Sequence, residues 1–267
     1  MSSSNVQAQI ELHRALAPRY AYRYGFGFSR LFQEDWHRTL LSRLPAGARR
    51  ALDLGCGTGF FLADIDARLP GAVGLDVSLD MLLVSERYVP RARVVAADAE
   101  KLPFARGSFD AILCKGVLHH TRDHVGFLAN CREALSREGV LVMSEPCNDN
   151  PLIRFARFVL YRVSPHFHAA DRGFTTGEIG ELCARAGFEV KSATKYGALA
   201  YVLAGFPDHF GLLRWIPGST AITRLLIRLD RVLCATPVLS LVGFHVVVVA
   251  RPGPGHGSHD PEPSPTH

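Results

Sequence analysis

From Arg50 onward, short apolar blocks alternate with longer stretches whose apolar residues return at helical spacing. The blocks at 50–54, 72–76, 92–97, 109–114 and 138–144 predict β-strands. The stretches 59–69, 78–88 and 124–136 between them predict helices. Strand and helix taken in turn imply a mostly parallel sheet covered on both faces. Further on, Thr175 stands as N-cap with Glu178 three residues later, the spacing of a capping box, and the helix it opens stops at Gly187. A sixth strand is expected over 188–196 and a last one over Phe244 to Ala250.

Around this frame lie segments of a different character. Residues 5–44 are rich in aromatics (Tyr20, Tyr22, Tyr24, Phe26, Phe28, Phe32, Trp36), and Ser29 to Leu44 predicts a helix closed by Pro45 and Gly47. Residues 1–47 are thus expected to form an N-terminal helical cap. Residues 48–251 form the main domain, with additions at 147–173 and 198–237. The Pro-, Gly- and Ser-rich tail, 252–267, is expected to be disordered. In Ile222 to Cys234 the residues Arg224, Arg228 and Arg231 are set opposite Ile222, Leu226, Leu229 and Leu233. Pro151 to Val163 repeats the idea, with Arg154 and Arg157 against Phe155, Phe158 and Val159. Basic amphipathic helices are either solvated surface helices or elements that lie on an anionic membrane, so peripheral membrane contact is one expectation.

Composition narrows the classes. The chain has 267 residues, 48% of them apolar, which is enough for a large core. Only four of the 30 basic residues are lysines, and the arginines are spread along the chain. That dispersal argues against nucleic acid as the partner. The six cysteines form no Cys-x-x-Cys pair, and the N-terminus shows no basic-then-apolar leader, so a cytoplasmic protein with reduced thiols is expected. The apolar run Val238 to Ala250 is interrupted by His245 and too short to span a bilayer.

The candidate chemistry starts at Ala51-Leu52-Asp53-Leu54-Gly55-Cys56-Gly57-Thr58-Gly59. A strand running into a glycine-rich turn brings bare backbone to a ligand, and the following helix points its N–H groups the same way. A dinucleotide turn wants a third small residue one position later, where this chain has Phe60. Asp53 also opposes a pyrophosphate and suits a ligand bearing an amino group. Asp76, at the end of the second strand, can accept from both hydroxyls of a ribose. Asp98, at the end of the third, can accept from an exocyclic adenine amine. Taken together, three acids at successive strand ends surround one crevice.

These residues, with Gly74-Leu75-Asp76-Val77-Ser78, Ala97-Asp98-Ala99-Glu100-Lys101-Leu102-Pro103-Phe104 and Phe109-Asp110-Ala111-Ile112, resemble the class I S-adenosylmethionine-dependent methyltransferases. The likeness runs over roughly 48–197 and the last strand. It implies a Rossmann-like, doubly wound, seven-stranded sheet whose last strand is antiparallel, and S-adenosylmethionine as cofactor. By position, Gly55, Cys56, Gly57 and Gly59 would cradle the methionine part and Asp53 would face its ammonium. Asp76 falls at the ribose and Asp98 with Ala99 at the adenine, with Val77 and Met81 as further cofactor-binding candidates. Lys115 would either pair the cofactor carboxylate or point outward.

Methyl transfer from a sulfonium needs alignment above all, and a general base only for acceptors such as a hydroxyl or an acidic carbon. Candidates for that base are His119, His120 and Glu145, with His166 and His168 weaker; His119-His120 also reads as a structural loop feature. No metal is expected. The acceptor is expected to be a hydrophobic small molecule or lipid-like compound, methylated on O or C. The alternatives are a non-methylating rearrangement or partner role on the same fold, and methylation of a macromolecule.

Overall fold

The computed structural model describes residues 25–163, 172–205, 207 and 211–254. The expectations for Tyr20, Tyr22, Tyr24, His166, His168 and the tail beyond residue 254 lie outside the described residues. In chain order the elements are α1 (Gly27–Leu41), β1 (Ala51–Leu54), α2 (Phe60–Arg68), β2 (Val73–Asp76), α3 (Leu79–Tyr88), β3 (Arg93–Ala96) and β4 (Phe109–Lys115). After a 3-10 turn at Leu118–His120 come α4 (His124–Ala134), β5 (Leu135–Pro146), α5 (Pro151–Val163), α6 (Thr176–Arg185) and β6 (Phe188–Tyr196). The chain continues with α7 (Leu199–Ala204), a 3-10 turn at Gly211–Trp215, α8 (Ser219–Ala235), a 3-10 turn at Leu239–Val242 and β7 (His245–Pro252).

One sheet has the order β3-β2-β1-β4-β5-β7-β6. β7 runs antiparallel to both its neighbours, and the other neighbouring pairs are parallel. Strand order reverses between β1 and β4, and at such a point the loops diverge and leave a crevice at the carboxyl ends of the strands.

The central strands are apolar throughout because both their faces are covered. Alternation along them divides the core. Ala111 and Leu113 of β4 and Val140 and Val142 of β5 pack with Phe28, Phe32, Trp36 and Leu40 of α1 and with Leu62 and Ile65 of α2. Ile112, Cys114, Leu141 and Met143 face the other way, onto Phe127 and Leu128 of α4 and Ile179 of α6. The capping box opens α6 as the spacing predicts: the Glu178 N–H donates to Thr175 Oγ1, and the Thr175 N–H donates to Glu178 Oε2. All six cysteines are free thiols, five of them buried.

The two basic helices differ in part from the expected division of faces. In α5 Arg154 is exposed as expected, but Phe155, Phe158 and Val159 are exposed beside it and Arg157 is buried. Its guanidinium donates to the carbonyls of Cys147 and Phe244 and to Asn148 Oδ1, a set of charge-assisted bonds that holds an arginine inside. In α8 the inward face is Thr223, Ile227 and Asp230, while Leu225, Leu229 and Val232 are exposed beside the arginines. Asp230 is drawn in because its carboxylate accepts from the N–H groups of Ala198, Leu199 and Ala200, the unpaired donors at the start of α7.

Candidate active site

Asp53 closes the strand side of the crevice. It sits in β1, flanked by β2 and β4, and only 1% of its surface is exposed. Its Oδ2 is buried with no hydrogen-bond partner. Burial pushes its carboxyl up to about 8, with the Lys115 ammonium pulling the other way and the Asp76 carboxylate adding to the rise. A buried carboxylate left without a donor is costly, so this position calls for a partner.

The turn after β1 is bare on the side that matters. Gly55, Gly57 and Gly59 all have positive φ. Gly55 lies against the loop after β4, so that a Cβ there would sit 2.4 Å from Val117 Cγ2; a Cβ on Gly59 would sit 2.2 Å from Ser85 Oγ of α3. A Cβ on Gly57 would meet nothing within 4 Å, so this backbone faces open space. The turn is fixed from behind. The N–H groups of Gly55 and Cys56 donate to the Leu75 carbonyl, and the Gly57 N–H donates to Asp76 Oδ2 at 2.9 Å. Asp76 also accepts from the Ser78 N–H, and thereby holds both the glycine turn and the start of α3. Cys56 packs its thiol inward against Gly74, leaving only backbone toward the crevice. Met81 is buried beside this edge, and Asp98 accepts from the Glu100 N–H, which sets the bend of the loop after β3 around Ala99.

Lys115 ends β4 and turns toward α1. Its ammonium donates to Gln33 Oε1 at 2.8 Å and meets His37 Nε2 at 2.9 Å, 4.6 Å from the centre of the Trp36 ring. A lysine only donates, so His37 Nε2 accepts and the ring proton is on Nδ1, which donates to Asp64 at 2.6 Å. Burial, and then the Lys115 charge, press His37 down to about 3, so it is neutral. Sequence reading missed Gln33 and His37 as site neighbours. Their signal was a Gln and a His four residues apart on the apolar stripe of α1.

The other face of the loop after β4 is organised by Glu145. It is fully buried, and its Oε1 accepts from the N–H groups of Val117 and Leu118 at 3.0 and 2.9 Å. Its Oε2 lies 2.7 Å from His119 Nδ1. Glu145 therefore does not itself present a basic oxygen to an acceptor, contrary to the sequence expectation: a buried carboxylate beside orphan loop amides is taken up by them. His119 keeps 10% of its side chain exposed, and His120 packs its ring 3.9 Å from it. At the same strand edge, Ser144 Oγ receives the Trp36 indole N–H and contacts His245, whose far nitrogen reaches the Tyr201 hydroxyl at 3.0 Å.

Comparison with known proteins agrees with this geometry. A methyltransferase domain model matches residues 52–143. A ubiquinone biosynthesis O-methyltransferase of Dinoroseobacter shibae is 30% identical over 171 residues, covering 60% of this chain and 68% of that protein. A malonyl-[acyl-carrier protein] O-methyltransferase of Legionella pneumophila is 40% identical over 96 residues, 34% of this chain and 32% of that protein. Against several further curated relatives, too, the chain spans less than half of their length. A solved structure described as an S-adenosylmethionine-dependent methyltransferase of Thermotoga maritima superposes with a TM-score of 0.65 at 17% identity, covering 91% of this chain and 98% of that one. With the strand order, the bare glycine turn and the unpartnered Asp53 beside it, these matches place the chain in the class I S-adenosylmethionine-dependent methyltransferases.

Proposed function

We propose that this chain transfers a methyl group from S-adenosylmethionine to an oxygen or carbon of a hydrophobic small molecule. The observation that carries the donor half is the buried Asp53 carboxylate, unpartnered at a glycine turn whose open side a Cβ would fill. An ammonium is the group that this carboxylate lacks. Asp53 would hold the donor's amino group, Lys115 its carboxylate, Asp76 and Val77 the ribose, and Asp98, Ala99 and Met81 the adenine. When bound, the donor supplies a methyl group on a sulfonium centre, already activated for in-line displacement.

On the acceptor side, His119 is the group best held for accepting a proton. Glu145 takes its Nδ1–H, which leaves Nε2 as the basic nitrogen and fixes the ring. Glu145 is then a positioning residue, itself locked by the loop amides of Val117, Leu118 and His119. The packed aromatic cluster at the α1 edge (Phe32, Trp36, Tyr196, Tyr201) makes this side of the fold apolar, which supports an apolar acceptor. Among the matched relatives, the one named for ubiquinone biosynthesis agrees with an apolar acceptor, and both it and the malonyl-[acyl-carrier protein] enzyme are named as O-methyltransferases.

The test uses donor labelled in the methyl group, incubated with the protein and cell extract. Label is expected in organic-extractable material and is expected to vanish with Asp53→Asn. Label in a macromolecular pellet would refute the acceptor class, and consumption of an acceptor without transfer of label would point to a rearrangement on this scaffold. Once an acceptor is known, His119→Asn should lower kcat by about 10²–10⁴. Glu145→Gln should move the acid limb of the pH profile while leaving donor affinity intact.

A further inference from the structure

The segments inserted at the carboxyl edge of the sheet have an unusual surface. On α5, Leu152 is 78% exposed, Phe155 67% and Phe158 53%, with Val159 beside them. On α8, Leu225, Leu229 and Val232 form an outward stripe at i, i+4 and i+7, and the 3-10 turn after it adds Leu239 and Leu241. A monomer in water seldom leaves this many large apolar groups outside. The arrangement is not a failure of folding, because both helices are anchored by buried charge, α5 through Arg157 and α8 through Asp230.

The chain segments that carry these stripes are themselves basic. From Asn150 to Ala170 the sequence has no acid, and from Tyr196 to Pro252 its only acids are Asp208 and Asp230. Asp230 is buried, whereas Arg162, Arg214, Arg224 and Arg228 are exposed; Arg231 is exposed too but holds Asp35 of α1, and Arg154 lies near Glu178 of α6. The two helices also meet one edge of the molecule. α5 begins after a linker of four residues beyond the end of β5. The turn after α8 leads into Phe244, whose carbonyl Arg157 holds at 2.9 Å, and into β7 where it pairs with Pro146.

We propose that α5, α8 and the Leu239–Val242 turn form a docking face for an anionic phospholipid bilayer, with the exposed apolar side chains entering the headgroup boundary and the arginines meeting lipid phosphates. Apolar groups fringed by arginine fit that interface, since each half of the face meets its complement there. Among the described residues no helix is long and apolar enough to cross a membrane, so contact from one side is the form such binding takes. The face adjoins the carboxyl edge of the sheet, where a bilayer-dissolved acceptor would arrive. That last link rests on the proposed function; the docking does not.

The experiment is co-sedimentation of the full chain with vesicles of phosphatidylcholine containing about one-third phosphatidylglycerol, against vesicles of phosphatidylcholine alone. Pelleting is expected on the anionic vesicles at low ionic strength and should be reversed by salt. The double variants Phe155→Ser with Phe158→Ser, and Arg224→Glu with Arg228→Glu, should each weaken it by about tenfold or more. Both change exposed positions, and an unaltered melting temperature and donor affinity show that fold and donor site persist. No pelleting on anionic vesicles at low salt would overturn the proposal, as would pelleting indifferent to both variants. A concentration-dependent dimer that the phenylalanine variant dissociates, with no vesicle binding by either form, would overturn it in favour of self-association. Failure of the wild-type chain to bind donor would instead strike the proposed function and leave the docking result standing.

Discussion

Donor binding should be linked to a proton, and Asp53 sets the size of the linkage. In the free protein its carboxyl titrates near pH 8, because desolvation and Asp76 outweigh Lys115; the Cys56 thiol beside it is pushed up by burial and stays protonated. The donor's amino group, like other α-amino groups, titrates at about 7.7–8.0. The bound pair carries one proton, whichever partner holds it. Below pH 8 the free partners carry two, so binding releases one. Above pH 8 they carry none, so binding takes one up. Affinity should therefore peak near pH 8 and fall about 25-fold, or about 1.9 kcal/mol, between pH 8 and pH 6. Calorimetry at pH 6.5 in two buffers of different protonation enthalpy reads the effect directly, with about one proton released per donor bound. A carboxyl with an ordinary pKa near 4 would release close to none, and that result would refute the reasoning. Asp53→Asn should bind weakly and lose the acid limb; an acid limb retained in that variant would assign the proton to another group.

Three further outcomes follow from the same geometry. Gly55→Ala combines a left-handed φ with a collision at Val117 and should cost about 2–4 kcal/mol of stability, measured by denaturant unfolding, whereas Gly57→Ala should cost only about 1 kcal/mol yet abolish donor binding by filling the open side of the turn. His37 is neutral and buried in the fold with its pKa near 3, below the unfolded value of 6.5. The stability that it contributes is therefore present above pH 6.5 and is lost as pH falls toward 3, about 2 kcal/mol by pH 5; His37→Gln should flatten that part of the stability–pH curve. Arg157→Met leaves the Cys147 and Phe244 carbonyls and Asn148 without their donor and should lower stability by about 2–4 kcal/mol, while the exposed Arg154→Met should stay within about 0.5 kcal/mol.

The sequence alone determined the strand–helix alternation, the capping box at Thr175 and the glycine turn. Each of these is written locally, in a period of apolar positions or in a residue type that a particular φ requires. Helix faces were another matter. The period in 151–163 shows that one side is apolar, but not which side meets the protein; three acceptors at Cys147, Asn148 and Phe244 drew Arg157 inward and left Phe155 and Phe158 out. The same holds at the site. Glu145 reads as a strand-end acid open to chemistry, and the loop amides of Val117 and Leu118, nearly thirty residues away in the chain, make it an internal anchor for His119 instead. The ammonium of Lys115 meets Gln33, Trp36 and His37 of α1, some eighty residues earlier, and no local pattern announces those contacts. Where a polar side chain settles depends on which donors and acceptors the fold brings beside it, because a buried charge is tolerated only with partners, and those partners are remote in sequence.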